Sequence, residues 1–382
     1  MVDRGRQVDE TAELRSVGRV VIKIGSSSVT TEDGEVDTGT ISELSSQIAE
    51  LLERGTEVVV VTSGAIAAGL SALGRRADRP SDPAVLQAVS AVGQHRLMRT
   101  WQEGLAPHGI LAGQVLLAPL DFTNRGQYLH ARGTLAELLK LGVVPVVDEN
   151  DAVADEEIRF GDNDRLGALV AHLVGADLFV ILTDTAGLLS GDPRFSSETT
   201  LTLIEEVVEI DHELERIAGG PGTPEGSGGM LSKLAAAKIA TWSGVETVIA
   251  DARRPGVVAA AVARSRGVGT VLKARRARLP ARKLWIAFAL RASGTVVVDE
   301  GARRALVNDG RSLLPAGVVK VQGEFVADDA VEIAGTDGTT FAKGLVRMAS
   351  ARAAEWVGSR SGDLPEELSG AVVHRDDLVI LR

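Results

Sequence analysis

Cysteine is absent from the 382 residues, which removes disulfides, thiolate metal sites and thiol nucleophiles from consideration. Aromatic residues are scarce at 3%, so the core must be built from Val, Leu, Ile and Ala, which the 45% hydrophobic content supplies. No apolar run approaches the roughly 18 residues that a membrane-spanning helix needs. The opening Met1-Val2-Asp3-Arg4-Gly5-Arg6 has mixed charge and no apolar stretch, so no secretory signal is expected and the expected location is the cytoplasm. Two nucleotide signatures are also missing. There is no G-x-x-x-x-G-K-[ST], which excludes a P-loop, and no G-x-G-x-x-G after the first strand, which speaks against a nicotinamide cofactor. Lysine is rare too: of 41 basic residues only eight are Lys.

What is present suggests two or three domains at this length. The net charge of −11 argues against a general nucleic-acid coat. Residues 1–272 carry 24 Lys+Arg against 38 Asp+Glu, while 273–283 (KARRARLPARK) carry six basic residues and no acid. Residues 284–382 return to a mild acidic balance, with 11 basic and 14 acidic residues. The basic stretch with Pro280 reads as a solvated tether, with a phosphate-binding strip as the alternative.

The first 272 residues alternate β-branched runs with helical patterns. Val20 to Ile24, Val58 to Val61 and Leu178 to Leu182 are mainly apolar runs, and Ile110 to Leu117, Val143 to Val147 and Val245 to Ala250 repeat the theme. Between the first two, Ile41, Leu44, Ile48, Leu51 and Leu52 recur at helical spacing before Gly55. Strands apolar on both faces belong to parallel sheets covered by helices, so the expected fold is an open α/β sandwich with a mostly parallel sheet. After the basic stretch the strands become shorter: Val296 to Val298, Val318 to Val321 and Val331 to Ile333. Asp309-Gly310 and Asp337-Gly338 separate them as turns, and a helical tail is expected near 349–357. This second region is expected to be a small, strongly bent β domain.

Ligands of a doubly wound sheet bind at the carboxyl ends of its strands. The residues there read Lys23-Ile24-Gly25-Ser26-Ser27-Ser28, Thr62-Ser63-Gly64, Asp148-Glu149-Asn150-Asp151 and Thr183-Asp184. Glycines and small residues let backbone N–H groups approach an anion. Gly25 and Gly64 also fit as plain tight turns, but two such loops on one sheet favour phosphate or carboxylate binding. A Gly-rich stretch, Gly226-Ser227-Gly228-Gly229-Met230-Leu231-Ser232-Lys233, opens a helix expected to run to about Ser243 and suits a polyphosphate. Because generic surface charge is written as Arg, Lys23 and Lys233 stand out as point charges for a transferring phosphoryl group. The alternative for Lys23 is a lysine snorkelling from a strand end. Gly161-Asp162-Asn163-Asp164 precedes a further amphipathic helix. One helix cap explains one of its polar residues but not all three. The six histidines show no metal spacing and are assigned to surface or structure. Phosphorylating a carboxylate needs no general base, because a glutamate side chain with a pKa of about 4.3 is already ionised.

These motifs resemble the amino-acid kinase family, and within it the branch that phosphorylates free glutamate. VVIKIGSSSV (20–29), VVVVTSGAIAAG (58–69), DENDAV (148–153), GDND (161–164), LTD (182–184) and GSGGMLSK (226–233) fall in the family's order. Residues 290–367 look like a PUA domain, a small β-barrel found in RNA-modifying enzymes. The resemblance implies a kinase domain over 1–272, a linker over 273–283, and a PUA-like domain with a tail over 284–382. It implies that Lys23 and Lys233 neutralise the transferring phosphoryl group and that Asp164 organises them. Ser63, Asp151 and Asn163 would bind glutamate. Lys23, Thr183, Asp184, Ser227, Gly228, Gly229, Met230, Leu231, Ser232 and Lys233 would bind ATP, with Mg²⁺ carried mainly by the nucleotide and no protein metal site. The implied product is L-glutamyl 5-phosphate, the first step of proline synthesis, with proline as inhibitor. A homo-oligomer (dimer or tetramer) and a downstream glutamyl phosphate reductase are implied partners, a membrane is not, and RNA is left open. The glutamate loop of the family often reads N-E-N-D. Here position 148 is Asp, and an extra carboxylate is expected to weaken glutamate binding or alter proline inhibition. The alternatives are another small-molecule kinase of the same fold (acetylglutamate kinase, aspartokinase or uridylate kinase), or an RNA-binding regulator using the C-terminal domain.

Overall fold

The apolar runs become the strands of an eight-stranded sheet in the order β3-β4-β2-β1-β5-β7-β8-β6. These are β1 (Arg19–Ile24), β2 (Glu57–Val61), β3 (Ala112–Leu117), β4 (Val144–Glu149), β5 (Leu178–Thr183), β6 (Glu206–Val207), β7 (Glu246–Asp251) and β8 (Gly269–Leu272). The computed structural model describes residues 17–31, 33–75, 80–118, 121–122, 124–153, 163–191, 201–219, 229–275, 278–359 and 370–381. Every pairing in this sheet is parallel except β7 with β8. β1, β4 and β5 are buried almost end to end, as strands covered on both faces must be. Two apolar layers result. One packs Ile41, Leu44, Ile48 and Trp101 over Val20, Ile22 and Val58; the other packs Leu169, Val170 and Leu234 over Val21, Phe179 and Ile181.

Two close helix contacts position the loops at the carboxyl edge. The Ala65–Ala72 helix crosses the Pro83–Leu105 helix at Gly69 and Gly93. A Cβ on Gly93 would lie 1.8 Å from the Ala65 carbonyl oxygen, and one on Gly69 would lie 2.0 Å from that of Val89. Only hydrogens at both positions allow the backbones to touch. The Asn163–Val174 helix lies on the opposite face, where a Cβ at Gly167 would meet the Phe179 ring at 2.8 Å. Glycine there seats the helix directly over β1 and β5.

The C-terminal region forms a second, five-stranded sheet in the order β10-β9-β11-β12-β13. Its strands are β9 (Ala292–Val298), β10 (Val318–Gly323), β11 (Ala330–Gly335), β12 (Thr340–Val346) and β13 (Val373–Ile380). Asp337-Gly338 makes the turn between β11 and β12 as expected, with Gly338 at φ +79°. Asp309-Gly310 does not make a strand-to-strand turn. Gly310, at φ +60°, caps the C-terminus of the Glu300–Asp309 helix, which sequence periodicity missed because its surface is so strongly charged. The helix near 350 (Ser350–Glu355) is not the end of the fold, because β13 follows and pairs with β12.

The basic stretch, where described, differs from a free tether. The Arg275 guanidinium lies 4.1 Å from the Trp242 ring centroid and pairs with Glu209 at 2.8 Å. Lys273 reaches Glu206 and Glu246, and Arg282 pairs with Asp377 at 2.6 Å. Ala281–Leu284 then turns helically and continues as a π-helical turn, Trp285–Ala289. Leu284 and Ile286 are sandwiched between Trp242 of the first region and Ala330, Leu345 and Val379 of the second. Arg165 donates to the Phe288 carbonyl from one side, and Lys343 donates to those of Ala287 and Leu290 from the other.

Candidate functional site

Four neighbouring parallel strands, β4-β2-β1-β5, end on the same edge of the sheet. At about 4.8 Å per strand this edge spans roughly 15 Å. Along it lie, in order, Asp148 to Asp151, then Ser63, then Lys23, then Thr183 and Asp184. The separate sequence motifs thus form one continuous floor along the sheet edge, with carboxylates at β4 and a lysine at β1.

At the basic end, Lys23 on β1, Asp164 in the first turn of the Asn163–Val174 helix, and Lys233 in the first turn of the Met230–Trp242 helix converge. The Lys23 ammonium lies 2.6 Å from Asp164 Oδ1, and that of Lys233 lies 3.3 Å from Oδ2. Ser232 donates its hydroxyl to the same Oδ2 at 3.1 Å. The exposures are 5%, 3% and 6% for Lys23, Asp164 and Lys233, so three charges are held almost out of water. Burial alone would raise the Asp164 carboxyl. The two ammoniums and the Ser232 hydroxyl outweigh it and hold the group below the ordinary carboxylate range. With Asp164 ionised, two cations and one anion leave a net positive charge fixed at the end of β1. Lys23 is therefore not a snorkelling lysine, since its head group is buried and paired.

At the acidic end, Asp148 and Asp151 flank Glu149 and Asn150. Asp151 Oδ2 accepts from the Ser90 hydroxyl at 2.6 Å, and its carboxyl is pushed up by burial, with Ser90 opposing. Asp148 Oδ1 accepts from the Glu149 backbone N–H at 2.8 Å and from Asn163 Nδ2 at 3.2 Å. Burial, and then the neighbouring Asp151, push the Asp148 carboxyl well above its ordinary value. Ser63 is buried at the end of β2, beside Thr62, whose hydroxyl accepts from the Trp101 indole N–H at 2.9 Å.

The structure brings Lys23, Asp164, Ser232 and Lys233 into contact, and links Asn163 to the acidic loop through Asp148. Thr183 is buried and donates to Asp184 at 3.1 Å. Gly229 caps the helix that begins at Met230, and Leu231 follows in its first turn. Ser227 and Gly228, with Gly226, Gly161, Asp162 and Arg276, lie outside the described residues. Sequence reasoning passed over Ser90 and Gln94. Both sit on the buried face of the Pro83–Leu105 helix among Leu86, Val89 and Leu97, four residues apart. Polar residues at positions where helical periodicity demands apolar ones were the available signal.

The model of the amino acid kinase family matches residues 18–251, and that of the PUA domain matches residues 294–367. The chain is 47% identical over 372 residues to the glutamate 5-kinase of Methylibium petroleiphilum, covering 96% of this chain and 99% of that one. It is 44% identical over 372 residues to the glutamate 5-kinase of Pelobacter propionicus, with the same coverage. The glutamate 5-kinase of Rhodococcus jostii is 45% identical over 368 residues, covering 96% and 98%. A solved UMP kinase from Bacillus anthracis superposes with a TM-score of 0.46 at 14% identity, covering 69% of this chain and 99% of that one.

Proposed function

The chain belongs to the amino acid kinase family, and on that premise we propose that it transfers the γ-phosphoryl group of ATP to the side-chain carboxylate of L-glutamate. The products are L-glutamyl 5-phosphate and ADP. The observation that carries this reading is the polarity of the cleft floor. Glutamate has an ammonium at one end and a reacting carboxylate at the other. The acidic loop at β4 and the paired lysines at β1 match those two ends in order.

A carboxylate oxygen of glutamate attacks the γ-phosphorus, and the bond from that phosphorus to the β,γ-bridging oxygen breaks as ADP leaves. Both reactants are anions, so catalysis consists of aligning them and cancelling their repulsion. Lys23 and Lys233 supply the cancelling charge. Asp164 pairs with both ammoniums and holds them buried and in place. Asp151 and Asn163 take the α-ammonium, and Ser63 lines the floor between the two ends. Thr183, Asp184 and the 227–233 segment take the nucleotide.

Among the described residues no group of three or more His, Asp or Glu could hold a metal ion. The Asp164 carboxylate is already engaged by two ammoniums. A magnesium ion fits as a passenger on the nucleotide phosphates, where it offsets their charge. Inhibition by proline, a homo-oligomeric assembly and a cytoplasmic location with a downstream reductase belong to the same reading.

The test is ADP release over a panel of acidic metabolites with hydroxylamine present, which traps an acyl phosphate as its hydroxamate. Glutamate should turn over far better than N-acetylglutamate, whose acyl group removes the ammonium that Asp151 would pair with. Equal turnover of the acetylated compound would overturn the assignment.

A further inference from the structure

One buried polar atom beside the acidic loop, Asn163 Oδ1, has no hydrogen-bond partner among the described residues. Asn163 is 5% exposed, so water gives that oxygen little compensation. Asn163 Nδ2 donates to Asp148 Oδ1 at 3.2 Å, and the same Oδ1 takes the Glu149 backbone N–H at 2.8 Å. An oxygen already accepting from a backbone amide can face only the NH₂ end of Asn163. The amide is thereby fixed in one of its two orientations, and its carbonyl oxygen is left as a buried acceptor awaiting a donor.

We propose that Asp148 is a positioning residue for substrate recognition, locking the Asn163 amide so that Oδ1 accepts from a primary ammonium. The inference rests on the reading of Asn163 and Asp151 as contacts for the α-amino group of glutamate. A flipped Asn163 would point its own NH₂ at the ammonium, donor against donor. In the locked orientation the ammonium meets the Asn163 carbonyl oxygen and the Asp151 carboxylate, two acceptors for its N–H groups.

The ionisation of Asp148 suits this role. The charged groups facing it are Asp151 and Glu149, both acids, and the Gln94 side chain and the Glu149 N–H only partly oppose the effect of burial. A raised carboxyl favours the protonated form, whose hydrogen-bonding pattern approaches that of an asparagine. Burial and the acidic neighbours thus act against the negative charge expected of an Asp at this position.

The test is steady-state kinetics of the full chain for Asp148→Asn, Asp148→Ala, Asn163→Ala and the Asp148/Asn163 double alanine variant. KM is read because it does not depend on what fraction of a preparation is folded. Asp148→Ala should raise the KM for glutamate roughly 10- to 100-fold, the range for one hydrogen bond to a charged group, with kcat per active site changed far less. Asp148→Asn should restore KM to within a few-fold of wild type. The double variant should be no worse than Asn163→Ala alone, because both substitutions remove the same contact. If Asn163→Ala raises KM but Asp148→Ala does not, or if the two effects simply multiply, the positioning role is overturned and the glutamate site stands. If Asn163→Ala itself leaves KM unchanged, the reading of that site fails, and this inference fails with it.

Discussion

The two sheets of this protein use similar apolar residues and achieve different things. In the first, β4, β2, β1 and β5 run parallel, so every strand delivers its terminal residue to the same edge. Lys23, Ser63, Asp151 and Thr183 come from distant parts of the chain and share one cleft floor. In the second, β10, β12 and β13 pair antiparallel with their neighbours, so successive strand ends fall on opposite edges. Its charged pairs are scattered, as in Arg303 with Asp337 at 3.4 Å and Arg282 with Asp377 at 2.6 Å. Parallel topology concentrates charge where a ligand can use it, whereas antiparallel topology spreads it out.

Breaking one charged cluster in each sheet tests that contrast most forcefully. Asp164→Ala strands two buried ammoniums and should cost about 3–5 kcal/mol, the range for halving a buried ion pair. Denaturant unfolding of the full chain measures it. Asp337→Ala, at an exposed turn, should leave the unfolding midpoint unchanged within error.

The junction between the regions gives a smaller effect. Chains ending at Lys273 and at Leu290 differ in whether Leu284 and Ile286 remain over Trp242. Each buried aliphatic side chain contributes about 1.5–3 kcal/mol. The longer truncated chain should therefore have the higher Tm, although both lack the second sheet. Equal Tm values would assign the 281–289 segment to the C-terminal region instead.

The smallest effects are two pH slopes of opposite sign. Asp148 has a raised carboxyl, so above the ordinary carboxylate pKa of about 3.9 the folded chain holds a proton that the unfolded chain releases. Stability from this residue is lost as pH rises, and Asp148→Asn should gain Tm over wild type at pH 8 but not at pH 4. Lys343, in the second region, is pushed down from 10.5 to about 8 by burial, with Arg165 adding repulsion and Glu332 opposing. Between those values the folded chain binds fewer protons than the unfolded one, so stability rises with pH. The Tm of wild type relative to Lys343→Met should therefore climb between pH 8 and 10.

The sequence made the first sheet far more legible than the second. β1, β2 and β5 are built mainly of apolar residues, with polar ones at or next to their ends, and burial on both faces explains why. β8, only four residues long and antiparallel to β7, carried no such signal. β13 has the charged run Arg375-Asp376-Asp377 in its middle and reads as a loop until its pairing with β12 is seen. In the site, the rarity of lysine singled out Lys23 and Lys233. Their meeting on one carboxylate required three elements far apart in sequence to pack together. Ser90 and Gln94 left only one local trace, polar residues where helical spacing calls for apolar ones, and what they face is set by the packing of another element.

The central claim is that the acidic end of the floor binds and the lysine end reacts. Steady-state kinetics of Lys233→Met, at saturating ATP with glutamate varied, addresses it most directly. The expected result is a kcat lowered by roughly 10²- to 10³-fold, as for loss of one charge-stabilising group, with the KM for glutamate changed by less than about threefold. A variant with near-normal kcat and a sharply raised KM for glutamate would contradict the account.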